Sequence, residues 1–316
     1  MSRSRKAIGV DIGGTKIAVA AVDTRGAILA RATLPTEADL GFARAVERLA
    51  AAVEQLLPQV GCARSELSGL GLGCAGPVNP AAGLINNPYT LPGWNQCDIV
   101  SPLRERFGVP VWLENDADMA ALGECFCGAG RGFDPVVMLT FGTGVGGAAI
   151  VRGEIHRGAG GEHPELGHVP VDPAGPQCYC GIRGCLESLA SGTAIGEVGQ
   201  AADLPDAPAV FAAAVSGNVT AQRIVERATT AAATAAWTFC HTFLPQRLVL
   251  GGGMMEEHFD VFASVITQRL SAATQFSRPN VSLVRAALGN DAGLVGAASL
   301  VIRRATNFPL DPLPRA

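Results

Sequence analysis

Short apolar runs and longer amphipathic stretches follow one another along the chain and predict a mixed α/β protein. Two apolar strands surround a glycine turn between Lys6 and Val22, and residues 27–33 predict a third strand. Apolar residues at three- and four-residue spacing predict helices over Gly41 to Leu57 and over Val219 to Phe243. The chain has 316 residues, which suggests two α/β lobes that each bury a core.

The segment from Gly69 to Trp94 interrupts this pattern, because an apolar strand ends there at Gly76-Pro77 and the residues after it are mainly glycine, proline and asparagine. Such a composition predicts a loop over a cleft. Asn86, Asn87 and Trp94 fit contacts with a polyol and ordinary turn positions equally well.

The other predicted elements are a strand at 109–116, a helix from Asp116, strands at 135–151 around a second glycine turn, short helices at 190–215, a strand at 247–255, a helix at 258–273, a strand at 281–285, a helix at 289–305 and an extended tail at 307–316.

The composition argues against several classes of function. The formal net charge is -4 and no basic cluster occurs, so a nucleic-acid partner is not expected, because phosphate binding needs concentrated lysine and arginine. No uninterrupted apolar run reaches the ~18 residues that span a bilayer, so no membrane partner is expected either. The first residues lack a signal-peptide core, and nine cysteines, an odd number, favour a reducing cytoplasm over a disulfide framework.

The first glycine turn combines the features of an anion site. Gly13 and Gly14 allow backbone N–H groups to converge, while Thr15 and Lys16 add a hydroxyl and a positive charge. These residues favour a turn that binds a nucleotide phosphate over an ordinary hairpin turn with no ligand. Asp11, near the end of the first strand, is placed to orient a hydrated Mg²⁺ at the same point.

Two later glycine clusters offer similar backbone sites. The strand pair at 135–151 turns at Thr140 to Gly147, again with threonine among the glycines. Together with the first turn, it suggests a duplicated lobe with a phosphate held between the copies. A third cluster, Gly251 to Gly253, follows a strand and suits close approach to adenine or ribose, although an ordinary loop fits it as well.

A carboxylate stands where a strand meets a helix. The strand at 109–116 ends in Glu114, Asn115 and Asp116, and a helix begins at or just after Asp116. Such a residue often serves only as an N-cap. The nearby phosphate and carboxylate signals favour a second role, in which Asp116 accepts the proton of an alcohol that attacks a phosphoryl group.

The segment from Gly158 to Glu187 contains the residues of a metal site. Its candidate ligands are His168, Cys178, Cys180 and Cys185. This imidazole and thiolate set suits tetrahedral Zn²⁺, and four protein ligands leave no open position, so the metal is expected to be structural and not hydrolytic. The alternative is a set of buried thiols. Glu165 and Glu187 bracket the set, and the metal loop is expected to hold these two carboxylates in place.

Eight motifs together resemble the ROK family of sugar kinases and sugar-responsive repressors. They are DIGGTK at Asp11 to Lys16, Gly-Pro at Gly76, LEND at Leu113 to Asp116, TFGTGVGG at Thr140 to Gly147, ELGH at Glu165 to His168, CYCGIRGCLE at Cys178 to Glu187, VLGGG at Val249 to Gly253, and GNDAGLVGAA at Gly289 to Ala298. They occur in the family's order and span nearly the whole chain.

The resemblance implies a hexokinase-like fold, of the ribonuclease H-like and actin-like ATPase type, with two α/β lobes and the active site in the cleft. The smaller lobe is expected at 1–117 plus 297–316, and the larger lobe, with the zinc loop, at 118–296. The resemblance also implies ATP with Mg²⁺, a hexose substrate, a structural zinc and usually a homodimer.

The resemblance further assigns roles to single residues. Asp116 matches the base that takes the proton of the sugar 6-hydroxyl. The residues that match sugar contacts are Gly76, Asn115, Asp116, Glu165, His168 and Glu187, with His168 also a zinc ligand beside Cys178, Cys180 and Cys185. Those that match the nucleotide site are Gly13, Gly14, Thr15, Lys16, Thr143, Gly144, Gly251, Gly252 and Gly253.

One residue departs from the family pattern. Pro164 stands where a glycine usually precedes the glutamate that matches Glu165. Proline fixes φ and removes an N–H, so the approach of this loop to the sugar is expected to differ, and with it the substrate range.

Two classes of function fit the resemblance. A sugar-responsive repressor would need a DNA-reading segment, and DIGGTK begins at Asp11, which leaves no room for a helix-turn-helix. An ATP-dependent hexose kinase is therefore expected. The loop NNPYTLPGW and the stretch LENDADMAALGE look most like the glucokinases of the family and predict glucose as the substrate. N-acetylhexosamine kinases share the metal loop and fructokinases share most of the rest, so these sugars are the alternatives.

Overall fold

The computed structural model describes residues 5–272 and 280–306 of the chain. The tail at 307–316, for which the sequence predicts an extended conformation, lies outside these residues, as does residue 273. The chain is divided into two compact units. The first comprises Met1–Phe133, Gly153–His163 and Asn290–Ala316, and the second comprises Asp134–Arg152 and Pro164–Gly289.

Strands and helices alternate along the described residues, as the predicted α/β class requires. The strands are β1 (Lys6–Ile12), β2 (Lys16–Asp23), β3 (Ile28–Pro35), β4 (Leu67–Cys74), β5 (Val78–Asn79), β6 (Leu84–Ile85), β7 (Cys97–Asp98), β8 (Val111–Asn115), β9 (Val136–Phe141), β10 (Val145–Val151), β11 (Glu154–Ile155), β12 (Arg247–Gly251) and β13 (Ser282–Arg285). The helices are α1 (Phe42–Gln59), α2 (Val100–Phe107), α3 (Asp116–Cys127), α4 (Glu187–Ala190), α5 (Gly192–Gln200), α6 (Ala207–Val215), α7 (Val219–Phe243), α8 (Gly253–Ser271) and α9 (Ala292–Thr306). Within the described part of the chain, none of these helices combines the length and apolar character needed to cross a membrane.

The first unit is built on a five-stranded sheet in the order β3-β2-β1-β4-β8. The pairs β1–β2 and β2–β3 are antiparallel, whereas β1, β4 and β8 run parallel. Ile12 lies opposite Cys74, and Cys74 lies opposite Asn115, so the carboxyl ends of three strands meet at one edge of the sheet. Residues that come directly after these strands are therefore brought side by side.

Helices cover both faces of this sheet. α1 and α2 contribute Leu49, Val53 and Leu103 to the main apolar core of the unit. On the other face, α9 lies close to the strands because Gly71 has no side chain at the contact. A Cβ on Gly71 would lie 1.9 Å from the carbonyl oxygen of Ala297.

Helices α3 and α9 also pack closely against each other. A Cβ on Gly296 would lie 1.6 Å from the carbonyl oxygen of Met119, and one on Gly123 would lie 2.4 Å from that of Ala292. Glycine is therefore required on both helices. Both α3 and α9 belong to the first unit.

The second unit is built on strands in the order β10-β9-β12-β13. β10 and β9 are antiparallel, whereas β9, β12 and β13 are parallel. The 25-residue helix α7 buries an alanine-rich face and has the bounds that the sequence predicts. Phe141 of β9 packs on Phe262 of α8, with ring centroids 5.3 Å apart, so sheet and helices share one core.

Two predicted boundaries and one predicted loop differ from the structure. β12 ends at Gly251 and α8 begins at Gly253, whereas the sequence predicts a strand to residue 255 and a helix from residue 258. The reason is Gly252, whose φ of 85° turns the chain sharply between strand and helix. The segment predicted as a loop after Gly76 contains the small sheet β5-β6-β7.

Two residues of that segment take structural roles. Trp94 is 1% exposed and packs edge-on against Phe42, with ring centroids 5.4 Å apart. Asn87 is also buried, and its Oδ1 accepts hydrogen bonds from the N–H groups of Tyr89 and Thr90, both at 3.0 Å. Of the two interpretations open for these residues, the turn and core roles are the ones that the contacts support.

Candidate active site

A carboxylate and a separate helix cap meet where β8 passes into α3. Asn115 has extended backbone, and its Oδ1 accepts hydrogen bonds from the N–H groups of Ala117 at 2.8 Å and Asp118 at 3.4 Å. Asp116 is the first helical residue, and its Oδ1 accepts from the same Ala117 N–H at 2.8 Å. The cap is therefore Asn115, and the N-cap interpretation of Asp116 is wrong. The second carboxylate oxygen of Asp116 is not needed by the helix.

Gly76 follows β4 and lies directly beside Asn115. A Cβ at position 76 would lie 2.8 Å from Nδ2 of Asn115, which is too close for a side chain. Because the oxygen of Asn115 caps the helix, its amide nitrogen is the atom that points over Gly76. The structure thus brings Gly76, Asn115 and Asp116 together, as the sequence predicts.

Two carboxyl groups at this edge have raised pKa values. Burial, followed by the charge of Asp116, raises the pKa of Asp11 to about 6, while Lys16 acts in the opposite direction. Burial also raises the pKa of Asp116, against the effects of its hydrogen bond from Ala117 and the charge of His163. A raised pKa makes a carboxylate a stronger base, which suits proton abstraction.

The turn between β1 and β2 is closed by one of its own glycines. The N–H of Gly13 donates to the carbonyl oxygen of Lys16 at 3.0 Å. Thr36 fastens the turn, since its hydroxyl donates to the Gly13 carbonyl at 2.6 Å and its N–H to the Thr15 carbonyl at 2.9 Å. The N–H of Gly13 is therefore engaged within the turn, and the exposed part of the predicted anion site is Gly14 to Lys16.

The turn between β9 and β10 holds the carboxylate of Glu187. The N–H of Gly142 closes this turn by donating to the carbonyl oxygen of Gly144 at 2.9 Å. Oε2 of Glu187 accepts the N–H of Val145 at 2.8 Å and would lie 2.5 Å from a Cβ on Gly144. The structure therefore places Glu187, a predicted sugar contact, against Thr143 and Gly144, which are predicted nucleotide contacts.

The triple glycine lies beside this second turn. Gly251 ends β12 opposite Thr140 of β9. A Cβ on Gly252 would lie 2.4 Å from the carbonyl oxygen of Phe141, so only glycine allows the two backbones to approach. Gly253 is exposed and opens the 19-residue helix α8. The predicted nucleotide residues of the second unit thus share one edge of its sheet, with a helix N-terminus beside them.

The four candidate metal ligands converge on one point. They are His168, Cys178, Cys180 and Cys185, and their ligand atoms all lie within 4.8 Å of one another. Sγ of Cys178 is 3.5 Å from Nδ1 of His168, and Sγ of Cys180 is 3.4 Å from Sγ of Cys185. Sulfurs bound at ~2.3 Å to a tetrahedral Zn²⁺ lie roughly 3.8 Å apart, so the spacing fits this metal. Cys180 is exposed, which the alternative of buried thiols does not explain.

Tyr179 contacts this cluster and was not among the predicted site residues. Its hydroxyl lies 3.1 Å from Nε2 of His168, and the two rings are perpendicular with centroids 5.1 Å apart. A proton on Nε2 that is donated to the phenol leaves Nδ1 unprotonated toward the sulfurs, which is the tautomer that a metal requires. The sequence signal for this contact was the position of Tyr179 between two candidate ligands, Cys178 and Cys180.

Glu165 and His168 are held by a short 3-10 turn, Leu166–His168. The N–H of His168 donates to the Glu165 carbonyl at 2.9 Å, and the Glu165 residue is exposed. A Cβ on Gly167 would lie 1.9 Å from the carbonyl oxygen of Val145, so the turn packs directly on the start of β10. Glu165, His168 and Glu187 are therefore all anchored near the same strand.

A buried network of charged side chains next to Asp116 was also not predicted. Oδ2 of Asp118 lies 3.0 Å from Nη2 of Arg157 and 3.0 Å from Nδ1 of His163. Arg157 also pairs with Glu114. Burial raises the pKa of Glu114 to about 7, although Arg157 opposes this shift. Acidic residues at alternate positions in LENDAD were the signal, but no pattern shows which segment supplies their cations.

The predicted residues divide between the two units. The first unit contains Asp11, Gly13, Gly14, Thr15, Lys16, Gly76, Asn115 and Asp116, and the second contains Thr143, Gly144, Glu165, His168, Cys178, Cys180, Cys185, Glu187, Gly251, Gly252 and Gly253. The glycine-turn residues, Gly76 and Asn115 lie at strand ends or in the turns after them, whereas Asp116 and Glu187 begin helices and the zinc-ligand candidates lie in the metal loop. Strand ends are where parallel α/β sheets bind their ligands.

A family model described as the ROK family matches residues 7–304 of the chain. The chain belongs to the ROK family. Among related ROK proteins, the glucokinase of Thermotoga maritima is 33% identical over 315 residues, which cover 95% of this chain and 98% of the relative. The N-acetylmannosamine kinase of Citrobacter koseri is 34% identical over 296 residues, which cover 93% and 97% of the two chains.

Solved ROK structures share the fold. The ROK hexokinase from Thermus thermophilus superposes with a TM-score of 0.85 at 34% identity, covering 96% of this chain and all of its own. A ROK glucokinase from Streptomyces griseus, in complex with glucose and AMPPNP, gives a TM-score of 0.76 at 31% identity and covers 93% of this chain and 98% of its own. The predicted hexokinase-like fold is thereby confirmed.

Proposed function

We propose that this ROK protein is an ATP-dependent hexose kinase that transfers the γ-phosphoryl group of ATP to the 6-hydroxyl of glucose. The observation that carries this proposal is the carboxylate of Asp116, which stands at the carboxyl edge of a parallel sheet with its pKa raised by burial and with the cap provided by Asn115. Relatives named glucokinase, one of them solved with glucose and AMPPNP, support the choice of substrates.

Asp116 acts as the general base. As the 6-hydroxyl oxygen attacks the γ-phosphorus, its proton passes to the carboxylate, the new O–P bond forms, and the bond from phosphorus to the bridging oxygen breaks to release ADP. The first turn of α3 holds Asp116 in place through the Asn115 cap and the Ala117 N–H. The carboxylate is thereby fixed before the substrate arrives, which lowers the cost of reaching the reactive geometry.

Polar side chains and one glycine bind the sugar. The Nδ2 group of Asn115 donates to a sugar hydroxyl over Gly76, where a side chain would collide with the amide. Glu165 and Glu187 accept hydrogen bonds from further hydroxyls, and a contact of His168 with the sugar requires its Nε2 to exchange the Tyr179 hydroxyl, 3.1 Å away, for a sugar hydroxyl. A site that pairs several hydroxyls in this way discriminates strongly against analogues that lack them, because its polar groups would be left unpaired.

The glycine turns bind the nucleotide. Gly14 to Lys16 present backbone, a hydroxyl and a positive charge to the phosphates, and Thr143 and Gly144 offer a second turn of the same kind. Gly251 to Gly253, which carry no side chains, allow adenine or ribose to approach the backbone closely. Mg²⁺, when bound with ATP, neutralises charge on the phosphoryl group, and Asp11 is placed to hold its water shell.

The cluster of three cysteines and His168 fits a structural Zn²⁺. The sequence separation between His168 and Cys185 means that a bound zinc would cross-link the turn after Glu165 to the loop before Glu187. With four protein ligands, the ion supplies rigidity and no open coordination position. The metal loop therefore positions the two carboxylates that bind the sugar.

A second candidate substrate is an N-acetylhexosamine. The relative named N-acetylmannosamine kinase, at 34% identity over most of the chain, favours it. Pro164, which removes an N–H just before Glu165, bears on this choice because it alters the approach of that loop to the sugar. A sensor without catalysis is disfavoured, because it has no need of a base with a raised pKa at position 116.

A homodimer and a reducing, cytoplasmic location complete the proposal. The reducing compartment is proposed because the chain has nine cysteines, an odd number, and none of them forms a disulfide in the described residues. Light scattering of the purified protein tests the dimer: a mass near twice the 32.4 kDa of one chain is expected, and a mass equal to it would contradict this part.

The proposed reaction is tested by measuring ADP release from Mg-ATP with glucose, mannose, fructose, N-acetylglucosamine and N-acetylmannosamine. We expect the highest kcat/KM for glucose. A preference of ~10-fold or more for an acetylated sugar, equivalent to about 1.4 kcal/mol in transition-state binding, would support the second candidate. Glucose binding without formation of any sugar phosphate would contradict a kinase of either kind.

A further inference from the structure

Residues 153–163 supply a guanidinium group and an imidazole ring to the start of α3. Nδ1 of His163 and Nη2 of Arg157 each lie 3.0 Å from the same oxygen of Asp118, and Arg157 also pairs with Glu114. The side chain of Asp118 is fully buried, and those of His163 and Arg157 are 10% and 20% exposed. A buried carboxylate is costly unless it is paired in this way, so the contacts are not incidental.

The ion pair between Asp118 and His163 lies within one helical turn of the Asp116 carboxylate. Asp118 is two residues after Asp116, and its N–H donates to the Asn115 cap. The charge of His163 lowers the pKa of Asp116, and the charge of Asp118 raises it. His163 and Asp118, the two partners of one ion pair, thus shift the pKa of Asp116 in opposite directions. The pair therefore affects the pKa of Asp116 as well as its position.

We propose that His163 is a positioning residue for phosphoryl transfer, which holds the first turn of α3, and with it the neighbouring Asp116 carboxylate, through Asp118. This role goes beyond the proposed function and rests on it, since it requires Asp116 to be the base. His163 itself does not touch the substrate or the reacting atoms in this scheme.

The backbone around His163 is suited to such a role. The next residue is Pro164, and a residue before proline is restricted to extended conformations. The side chain of His163 is therefore directed by a backbone with little freedom, which reduces the entropy lost on forming the ion pair.

Other charged groups around Asp116 stay constant when position 163 is changed. They are Asp11 on β1, Lys16 on β2, Glu114 on β8, Arg157 in the segment after β11, and Arg304 on α9, which acts on Glu114. Asp11 titrates near pH 6 and also contributes to an acid limb. The direction in which the limb moves is therefore the informative quantity, and not its absolute position.

The experiment compares His163→Gln, His163→Ala and Asp118→Asn with the unchanged protein. kcat/KM for glucose is measured from pH 5 to 9 at saturating Mg-ATP. We expect both His163 variants to move the acid limb to higher pH by roughly 0.5–1 unit, and Asp118→Asn to move it to lower pH. His156→Gln, which changes an exposed histidine of the same segment, is the matched control and should leave the limb in place.

A purely structural role gives a different result. It predicts lower melting temperatures for the His163 variants with an unmoved acid limb, and that outcome would overturn the inference, as would shifts of the same sign for His163→Gln and Asp118→Asn. Should Asp118→Asn fail to fold, the two His163 variants decide alone. An inactive Asp116→Asn beside unmoved limbs would sink this inference and leave the proposed function standing, whereas an active Asp116→Asn would sink the proposed function.

Discussion

Asp116→Asn separates the proton acceptor from the fold around it. Asparagine has the same shape, and its side-chain oxygen can keep the hydrogen bond from the Ala117 N–H that Asp116 accepts at 2.8 Å. The helix cap is provided by Asn115 and is not touched. Because burial disfavours the charge at position 116, removing that charge should leave the free energy of unfolding equal or higher.

The expected loss falls on turnover. An amide cannot take the proton of the 6-hydroxyl, and a general base contributes ~10²-fold to ~10⁴-fold to the rate. We therefore expect kcat to fall by at least ~10²-fold, equivalent to about 2.7 kcal/mol of barrier. The dissociation constant for glucose should change only a few-fold, since the amide still forms hydrogen bonds with a hydroxyl.

Steady-state kinetics with Mg-ATP and calorimetric titration of glucose measure these two quantities separately. Asp39→Asn, which removes an exposed carboxylate from the same unit, is the control and should change neither. Unchanged turnover in Asp116→Asn would refute the assignment of the base. A matching loss of glucose affinity and turnover would instead make Asp116 a binding residue.

Two further predictions concern the metal loop and the buried carboxyl of β1. Tyr179→Phe removes the hydroxyl that contacts Nε2 of His168 and should weaken zinc binding ~10-fold, measured by competition with a chelator. Cys180→Ser, which removes a ligand, should weaken zinc binding far more. Equal zinc affinity for Tyr179→Phe and the unchanged protein would contradict a role for the Tyr179 contact. Asp11→Asn should stabilise the protein by up to about 3 kcal/mol at pH 7.5 and by only about 0.6 kcal/mol at pH 4, because a folded pKa of about 6 exceeds the ordinary 3.8 and the penalty grows as pH rises through this range. Urea unfolding at both pH values measures it, and a stabilisation of the same size at both pH values would count against the raised pKa.

Glycine turns and apolar periodicity made much of the fold predictable. α7 begins and ends where the spacing of its apolar residues predicts, because a long amphipathic helix is specified locally along its whole length. The boundary at β12 and α8 was wrong, since the φ of 85° at Gly252 depends on how closely the Phe141 backbone approaches. That approach is a property of the packed sheet and is not encoded in the letters GGG.

The candidate site shows the same limit at the level of side chains. The metal ligands could be predicted because their chemistry and spacing are both local to the segment from His168 to Cys185. The division of labour between Asn115 and Asp116 could not, because either residue can cap a helix and only the backbone conformation decides which does. The cations for Asp118 were also hidden, since they lie about forty residues away along the chain.

The distribution of cations among neighbouring carboxylates explains why one of them can act as a base. Glu114 and Asp118 form ion pairs with Arg157, and Asp118 also pairs with His163. Among residues 5–272 and 280–306, no cation lies within ion-pair distance of Asp116. A direct salt bridge would lower the pKa of Asp116 and weaken it as a base, whereas burial raises that pKa. Because the neighbouring Glu114 and Asp118 hold the ion-pair partners, the Asp116 carboxylate keeps the raised pKa that proton abstraction from an alcohol favours.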